Sequence, residues 1–310
     1  MKKLLIATTA LVATAGMASA DITITGHAAA GIYSGLGNAD AVTTAVAEVA
    51  AVPGNAGTAA VAVSAETFSG DGIYSNAGVD FTMTGATDNG ISFSASVNID
   101  AGTEIDAGDF ELDGADGGTA GLGSVSMTGS FGTVTFDDGG IDNLYNGDFT
   151  SADVSYSTTV GAVSLTVAHD TAESDDANSM SAGYAASGMT FTLAASEAAA
   201  GTSSSLTVAY ALNDTVSVTG KTDQVAGAES VQTITASTTL NGVSVALSSA
   251  NNSTWDVDLG YTAGAYALTY GVDETDGWTA TATSALGGGA TFAAGVDSND
   301  SMYAGVSFAF

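Results

Sequence analysis

The stretch Gly90-Ile-Ser-Phe-Ser-Ala-Ser-Val-Asn-Ile-Asp100 alternates strictly between apolar and polar side chains. Successive side chains of a β-strand point to opposite sides of the sheet, so a period of two residues separates two faces. The stretch therefore predicts a strand with one apolar face and one face of small polar groups. The apolar positions are Ile91, Phe93, Ala95, Val97 and Ile99.

The same alternation recurs along the chain and gives eighteen candidate strands between residues 22 and 310. Each has about 8–12 residues, close to the ~9–11 residues with which a tilted strand crosses a bilayer. The predicted connections alternate between two lengths. The long ones are residues 34–77, 102–121, 139–152, 170–178, 198–203 and 223–229, and the short ones are residues 88–89, 131, 161, 187–188, 213–214 and 241.

Long external loops and short periplasmic turns are typical of outer-membrane barrels, whereas a soluble sandwich has no reason to alternate in this way. The polar face, which is mostly Ser, Thr, Asp and Gly, suits a water-filled lumen. The sequence thus predicts an all-β transmembrane antiparallel barrel over residues 21–310.

The first twenty residues are predicted to be a signal peptide. Lys2 and Lys3 precede a short apolar stretch, and Ala18-Ser19-Ala20 fits a cleavage site. The protein is therefore expected to be exported.

The charge balance excludes several classes of protein. The chain has 3 Lys and Arg residues against 34 Asp and Glu residues. Of the three cations only Lys221 follows residue 20, whereas all 34 acids do, so residues 21–310 carry a formal charge of −33. A nucleic-acid partner is excluded because phosphate neutralisation needs cations. The absence of Cys excludes disulfides and thiolate metal sites, and no catalytic motif is evident, so we expect neither an enzyme nor a required cofactor.

Aromatic residues occur toward the ends of the late candidate strands, on the apolar face. Rings at such positions suit the interface between lipid and water. We expect an interfacial girdle that includes Trp255, Tyr261, Tyr266, Tyr270 and Trp278.

Three segments resemble one family. The stretch Val79-Asp-Phe-Thr-Met-Thr-Gly-Ala-Thr-Asp-Asn-Gly-Ile-Ser-Phe-Ser-Ala-Ser-Val97, the stretch Phe131-Gly-Thr-Val-Thr-Phe-Asp137 and the chain end Tyr303-Ala-Gly-Val-Ser-Phe-Ala-Phe310 are similar to the alphaproteobacterial general porins of the Rhodobacter type, a branch of the Gram-negative porins.

This resemblance implies a homotrimer that lets small hydrophilic solutes diffuse passively across the outer membrane of a Gram-negative bacterium. It implies sixteen strands, against the eighteen counted here, and a third loop, residues 139–152, that folds into the lumen as a constriction. The constriction candidates are Asp137, Asp138, Asp142, Asp148 and Asp153. The ending with Phe308 and Phe310 resembles the signal that the outer-membrane assembly machinery recognises.

The family sets such acids against Arg and Lys on the barrel wall, and these cations are missing here. Where the first strand often carries Arg, this sequence has His27. By alternation His27 and Lys221 both lie on the polar face and are expected at the pore wall. Acidic groups at a constriction attract cations and repel anions, so we expect cation selectivity.

The segment 102–121 concentrates acids among glycines, namely Glu104, Asp106, Asp109, Glu111, Asp113 and Asp116. Oxygen ligands at this density suit Ca²⁺, although the spacing is not that of an EF-hand. A hydrated acidic loop explains the same composition without a metal.

A protein of another class shares part of this pattern. A secreted or surface-attached β-rich structural protein, such as an adhesin or a layer protein, would have the same composition and signal peptide. It would need neither a terminal aromatic residue nor loops of alternating length.

Overall fold

The computed structural model describes residues 21–38, 68–145, 152–171, 178–198 and 201–310. Within these ranges no helix is long and apolar enough to span a membrane. The predicted signal peptide at residues 1–20 and Asp148 lie outside the described residues.

The described residues form twenty-one strands, whose bounds follow the alternating pattern of the sequence. They are β1 Asp21–Ser34, β2 Gly37–Asn38, β3 Gly72–Ala86, β4 Ser92–Thr103, β5 Ile105–Asp106, β6 Glu111–Leu112, β7 Asp116–Gly129, β8 Gly132–Ile141, β9 Ala152–Val160, β10 Val163–His169, β11 Asn178–Ala186, β12 Met189–Ala198, β13 Gly201–Ala211, β14 Val216–Gln224, β15 Val231–Leu240, β16 Val243–Ala250, β17 Trp255–Ala263, β18 Tyr266–Asp273, β19 Trp278–Gly287, β20 Ala290–Asp297 and β21 Met302–Ala309.

Eighteen of these strands form one sheet, in which β1 pairs with both β3 and β21. The sheet thereby closes into an antiparallel barrel, as the alternation predicts. The strand number is eighteen and not the sixteen that the resemblance implies. The other three strands, β2, β6 and β5, form a small separate sheet that the alternating pattern does not predict.

The short connections are tight turns. Ser187 and Gly188 both have positive φ, and so do Asn241 and Gly242. Two successive residues with positive φ are typical of two-residue hairpin turns, whose twist matches that of the strands they join. These turns fix the register of the β11–β12 and β15–β16 hairpins, and hence which side chains share a face.

The described residues divide into two compact units. One comprises those of residues 21–25, 79–99 and 120–259, and the other those of residues 26–78, 100–119 and 260–310.

The register of the first unit separates the two faces. Thr207, Lys221 and Thr233 are directly opposite one another on β13, β14 and β15, and Val208, Gly220 and Ile234 form the next row on the other face. The apolar face is open, since Ile234 is 64 % exposed. On the polar face, by contrast, serines such as Ser205 are buried. This distribution is the reverse of a soluble sandwich, which buries its large apolar side chains.

The second unit contains an apolar cluster. Leu36, Phe110 and Tyr303 are almost fully buried against one another. Leu36 precedes β2, and Phe110 lies between β5 and β6, so the cluster joins the small sheet to β21.

Candidate functional site

The segment after β8 folds against the polar face of other strands in the first unit. The backbone N–H of Leu144 donates a hydrogen bond to Ser179 Oγ at 3.1 Å, and the phenol of Tyr145 donates one to the carboxylate of Asp223. Ser179 lies on β11 and Asp223 on β14, several strands away from β8 in the sheet order. Residues 144–145 therefore cross the polar face instead of extending away from the rim.

Asp223 connects this segment to the lysine of the wall. Lys221 Nζ lies 2.8 Å from Asp223 Oδ2, while Tyr145 donates to Oδ1 of the same carboxylate. Burial raises the pKa of Tyr145 to about 12, and the hydrogen bond and the negative charge of Asp223 act in the same direction. The phenol consequently stays a hydrogen-bond donor over the whole physiological range.

The acids predicted for the constriction occupy different environments. Asp137 is half-buried beside Gly140, whose missing Cβ leaves room for its carboxylate. Asp138 and Asp142 are exposed. Asp153 Oδ2 accepts hydrogen bonds from the backbone N–H of Thr171, at 2.8 Å, and from its hydroxyl. Asp153 thus holds the chain after β10.

A second polar cluster lies on β1, β3 and β4 in the second unit. His27 Nε2 lies 3.3 Å from Asp100 Oδ1 and 3.9 Å from Glu104 Oε1. A Cβ on Gly78 would overlap Asp100 Oδ1 and the His27 ring, so any larger residue there would displace both side chains. Burial raises the pKa of the Glu104 carboxyl; His27 opposes this shift, and three neighbouring aspartates add to it.

The sequence predicts His27 and Lys221 on the polar face, and the register places Lys221 opposite Thr207 and Thr233. Their role at the pore wall stays a prediction. Alternation alone does not single out Tyr145, Asp223, Asp100 or Gly78. For two of these residues the sequence does indicate a place on the polar face. Asp223 follows Lys221 by two residues and so shares its face, and Asp100 continues the polar row of β4. No sequence pattern indicates the contact of Tyr145, since it joins residues far apart in the chain.

The acids proposed to bind Ca²⁺ are not gathered around one point. Asp106 Oδ1 accepts hydrogen bonds from the backbone N–H groups of Gly108 and Asp109, at 2.8 and 3.3 Å, and so closes a local turn. In the part of the chain that the structure describes, no three His, Cys, Asp or Glu side chains are placed to hold a metal ion. This favours the hydrated loop, and calcium binding stays a prediction.

The sequence of residues 7–309 matches the model of the Gram-negative porin family. The chain belongs to the Gram-negative porins. Solved structures with a similar fold include a triple mutant of the Rhodopseudomonas blastica porin, with 13 % identity, 94 % of this chain and 100 % of that chain covered, and a TM-score of 0.52. A second engineered variant of that porin has 14 % identity, the same coverage and the same TM-score. The search of the curated proteins found no match.

Family membership assigns the two faces. The protein is an outer-membrane channel that crosses the bilayer many times as a β-barrel. In such a barrel the apolar face of the strands contacts lipid and the polar face contacts water. This finding decides against the adhesin or layer protein as the alternative.

Aromatic residues are exposed on this porin where a girdle is expected. The five predicted residues are between 36 % and 64 % exposed, and the rings of Tyr270 and Trp278 stack with their centroids 6.4 Å apart. Tyr261 and Tyr266 flank the short turn between β17 and β18. Their interfacial role stays a prediction.

Proposed function

We propose that this porin is a cation-selective, passive diffusion channel in which the third loop narrows the lumen. One observation carries the proposal: Lys221, the single Lys or Arg of residues 21–310, has its ammonium group 2.8 Å from the Asp223 carboxylate. The charge of that cation is thereby balanced locally. The remaining acids of the chain therefore make the electrostatic potential in the lumen negative.

The mechanism is geometric and electrostatic. Residues 144–145 occupy space along the polar face, which supports a constriction at this level. Carboxylates near a narrow, water-filled passage attract cations and repel anions. Asp137, Asp138 and Asp142 at the end of β8 are the acids nearest to this segment in sequence. No bond is made or broken in this function, and no cofactor takes part.

We further propose a homotrimer in the outer membrane, assembled by the machinery that reads the terminal Phe308 and Phe310. Family membership supports an oligomer, and the aromatic chain end resembles the assembly signal. Residues 1–20 would direct export as a cleaved signal peptide. Chemical cross-linking of the purified porin in mild detergent tests the trimer, and a ladder that stops at the dimer contradicts it.

The decisive experiment is the reversal potential of the purified porin in a planar lipid bilayer under a KCl gradient. We expect a potential of the sign that K⁺ permeation produces, and an anion-preferring potential would refute the proposal. Lys221→Met should increase the preference for K⁺ because it leaves the Asp223 charge unbalanced. For one partly exposed charge worth about 0.4–1 kcal/mol, the increase is roughly two- to fivefold. Thr219→Val, two residues earlier on the same face, is the matched control and should leave the potential unchanged.

A further inference from the structure

The acidic segment between β4 and β7 is anchored by an apolar contact. We call residues 104–113 the acidic shelf. Phe110 lies within it and packs against Tyr303 of β21, with ring centroids 5.4 Å apart, and Leu36 completes the cluster. Phe110 and Tyr303 are 4 % and 5 % exposed, and Leu36 is fully buried. The Tyr303 hydroxyl donates a hydrogen bond to the backbone carbonyl of Ala107 at 3.3 Å.

This anchor lies on the water-facing wall of the porin. Tyr303 shares its side of β21 with Gly305 and Ser307, whereas Met302 and Phe308 point to the lipid side and are about half exposed. The facing residue on β1 is Tyr33, which lies opposite Tyr303. Because Phe110 covers the inward side of Tyr303, the shelf folds onto the lumen wall and not onto the outer surface.

The shelf has a defined backbone. Its strands β5 and β6 pair with each other, and β6 pairs with β2 next to Leu36. The N–H of Gly37 donates a hydrogen bond to the carbonyl of Phe110 at 2.9 Å. Phe110 itself has a φ of 58°, a conformation that non-glycine residues adopt rarely. The burial of its ring holds this conformation in place.

The shelf carries five acidic side chains that differ in exposure. Asp106, Asp109 and Asp113 are exposed, whereas Glu104 and Glu111 are half-buried. The sequence of residues 104–113 contains no Lys or Arg. The shelf thus combines an apolar anchor on the lumen wall with three carboxylates that are exposed to water.

We propose that the acidic shelf is a second constriction element of this porin, separate from the third loop, which selects inorganic and small organic cations. This inference rests on the proposed cation selectivity. Its carboxylates raise the local cation concentration, and its ordered backbone removes part of the lumen cross-section.

The charge of the shelf is tested by the triple variant Asp106→Asn, Asp109→Asn, Asp113→Asn. Asn keeps the side-chain oxygen that closes the turn at residue 106, so the shelf retains its shape. The control is Asp88→Asn, Asp214→Asn, Asp276→Asn, which removes three exposed acids from turns outside the shelf. We expect the K⁺ over Cl⁻ permeability ratio to fall at least twofold in the shelf variant and to change less in the control. Equal changes in both variants would overturn the proposal.

The position of the shelf is tested independently by blockage. The natural chain has no Cys, so Asp109→Cys provides a single thiol without altering the Phe110 anchor. A bulky uncharged maleimide on this thiol should reduce the single-channel conductance by a measurable fraction, whereas the same label on Asp276→Cys should not. Unchanged conductance with complete labelling would show that residue 109 lies outside the passage and would overturn the proposal.

These experiments separate the two proposals. If the unmodified porin has no cation preference, the proposed selectivity fails, whereas the labelling experiment still reports whether the shelf lies in the passage. If the porin prefers cations but neither shelf variant differs from its control, only the second constriction is refuted.

Discussion

His27 and Asp100 meet across β3, with Nε2 of one 3.3 Å from Oδ1 of the other, in the space that Gly78 leaves open. A glycine within a strand usually destabilises the strand, because glycine loses more backbone entropy on folding and has no side chain to pack. Here the missing Cβ leaves the space in which both partners meet, and a larger residue would have to displace them. The polar wall of the second unit therefore depends on a residue with no polar side chain.

Gly78→Ala should destabilise the porin by about 1–3 kcal/mol, the typical cost of forcing extra atoms into a packed site. Thermal unfolding in detergent, followed by the gel-mobility difference between folded and unfolded barrels, measures the change. Gly220→Ala is the matched control, since a Cβ on this strand glycine meets no atom within 4 Å. Equal midpoints for the two variants would contradict the assigned role of Gly78.

Glu104 predicts a pH dependence of stability. Its pKa in the folded protein is raised, mainly by burial, so folding disfavours its ionised form. The favourable contribution of the protonated carboxyl is complete below the ordinary pKa of Glu and is lost as the pH rises through the raised value. Glu104→Gln should therefore be more stable than the unmodified porin at neutral pH, and this difference should vanish in acid. A pH series of unfolding midpoints measures it, with the exposed Glu229→Gln as control; a variant that is less stable at neutral pH would contradict the prediction.

The sequence predicted the barrel well because membrane strands obey simple constraints. Alternation assigns the faces, and the span of the bilayer sets the strand length, so β13 and β14 follow from local residues alone. Counting the alternating segments also predicts the correct number of strands, eighteen, whereas the family resemblance implies sixteen.

The inward contacts could not be predicted in the same way. Phe110 stands between Asp109 and Glu111 in a glycine-rich segment, so its composition indicates a hydrated loop. Its partner Tyr303 is near the other end of the chain, and no local pattern reports that pairing. Asp153 is predicted at the constriction, and no local pattern indicates that its carboxylate accepts a hydrogen bond from Thr171 after the next strand. Composition predicts that these loops are acidic. Whether a loop folds onto the polar face depends on contacts between residues far apart in the sequence.

Tyr145→Phe tests the contact that holds the segment after β8. Loss of one hydrogen bond to a charged acceptor costs about 1.5–3 kcal/mol, so this segment should loosen and the open-channel current noise should rise. The phenol pKa is raised to about 12, so the stabilisation from this hydrogen bond is complete below pH 10 and is lost as the pH rises through about 12.

The same variant should also lose the late phenolate absorbance, which appears near pH 12 in an alkaline titration. Tyr266→Phe, at an exposed girdle position, is the control and should leave the late absorbance unchanged. If Tyr145→Phe leaves both the noise and the late absorbance unchanged, the hydrogen bond to Asp223 does not hold the segment.

Phe310 closes the barrel at the backbone level and carries an aromatic ring at the chain end. Its N–H and carbonyl exchange hydrogen bonds with Gly26 at 2.9 and 2.7 Å, and its ring lies over that glycine.

Deleting Phe310 removes both the backbone pair and the ring, whereas Phe310→Ala removes only the ring. If the ring is the assembly signal, both variants should reduce the folded fraction recovered from outer membranes by a similar factor. If closure by the backbone pair matters more, Phe310→Ala should assemble normally and only the deletion should fail, which would contradict the signal. Phe292→Ala, which removes an exposed ring from β20, controls for the general loss of an aromatic side chain and should assemble as the unmodified porin does.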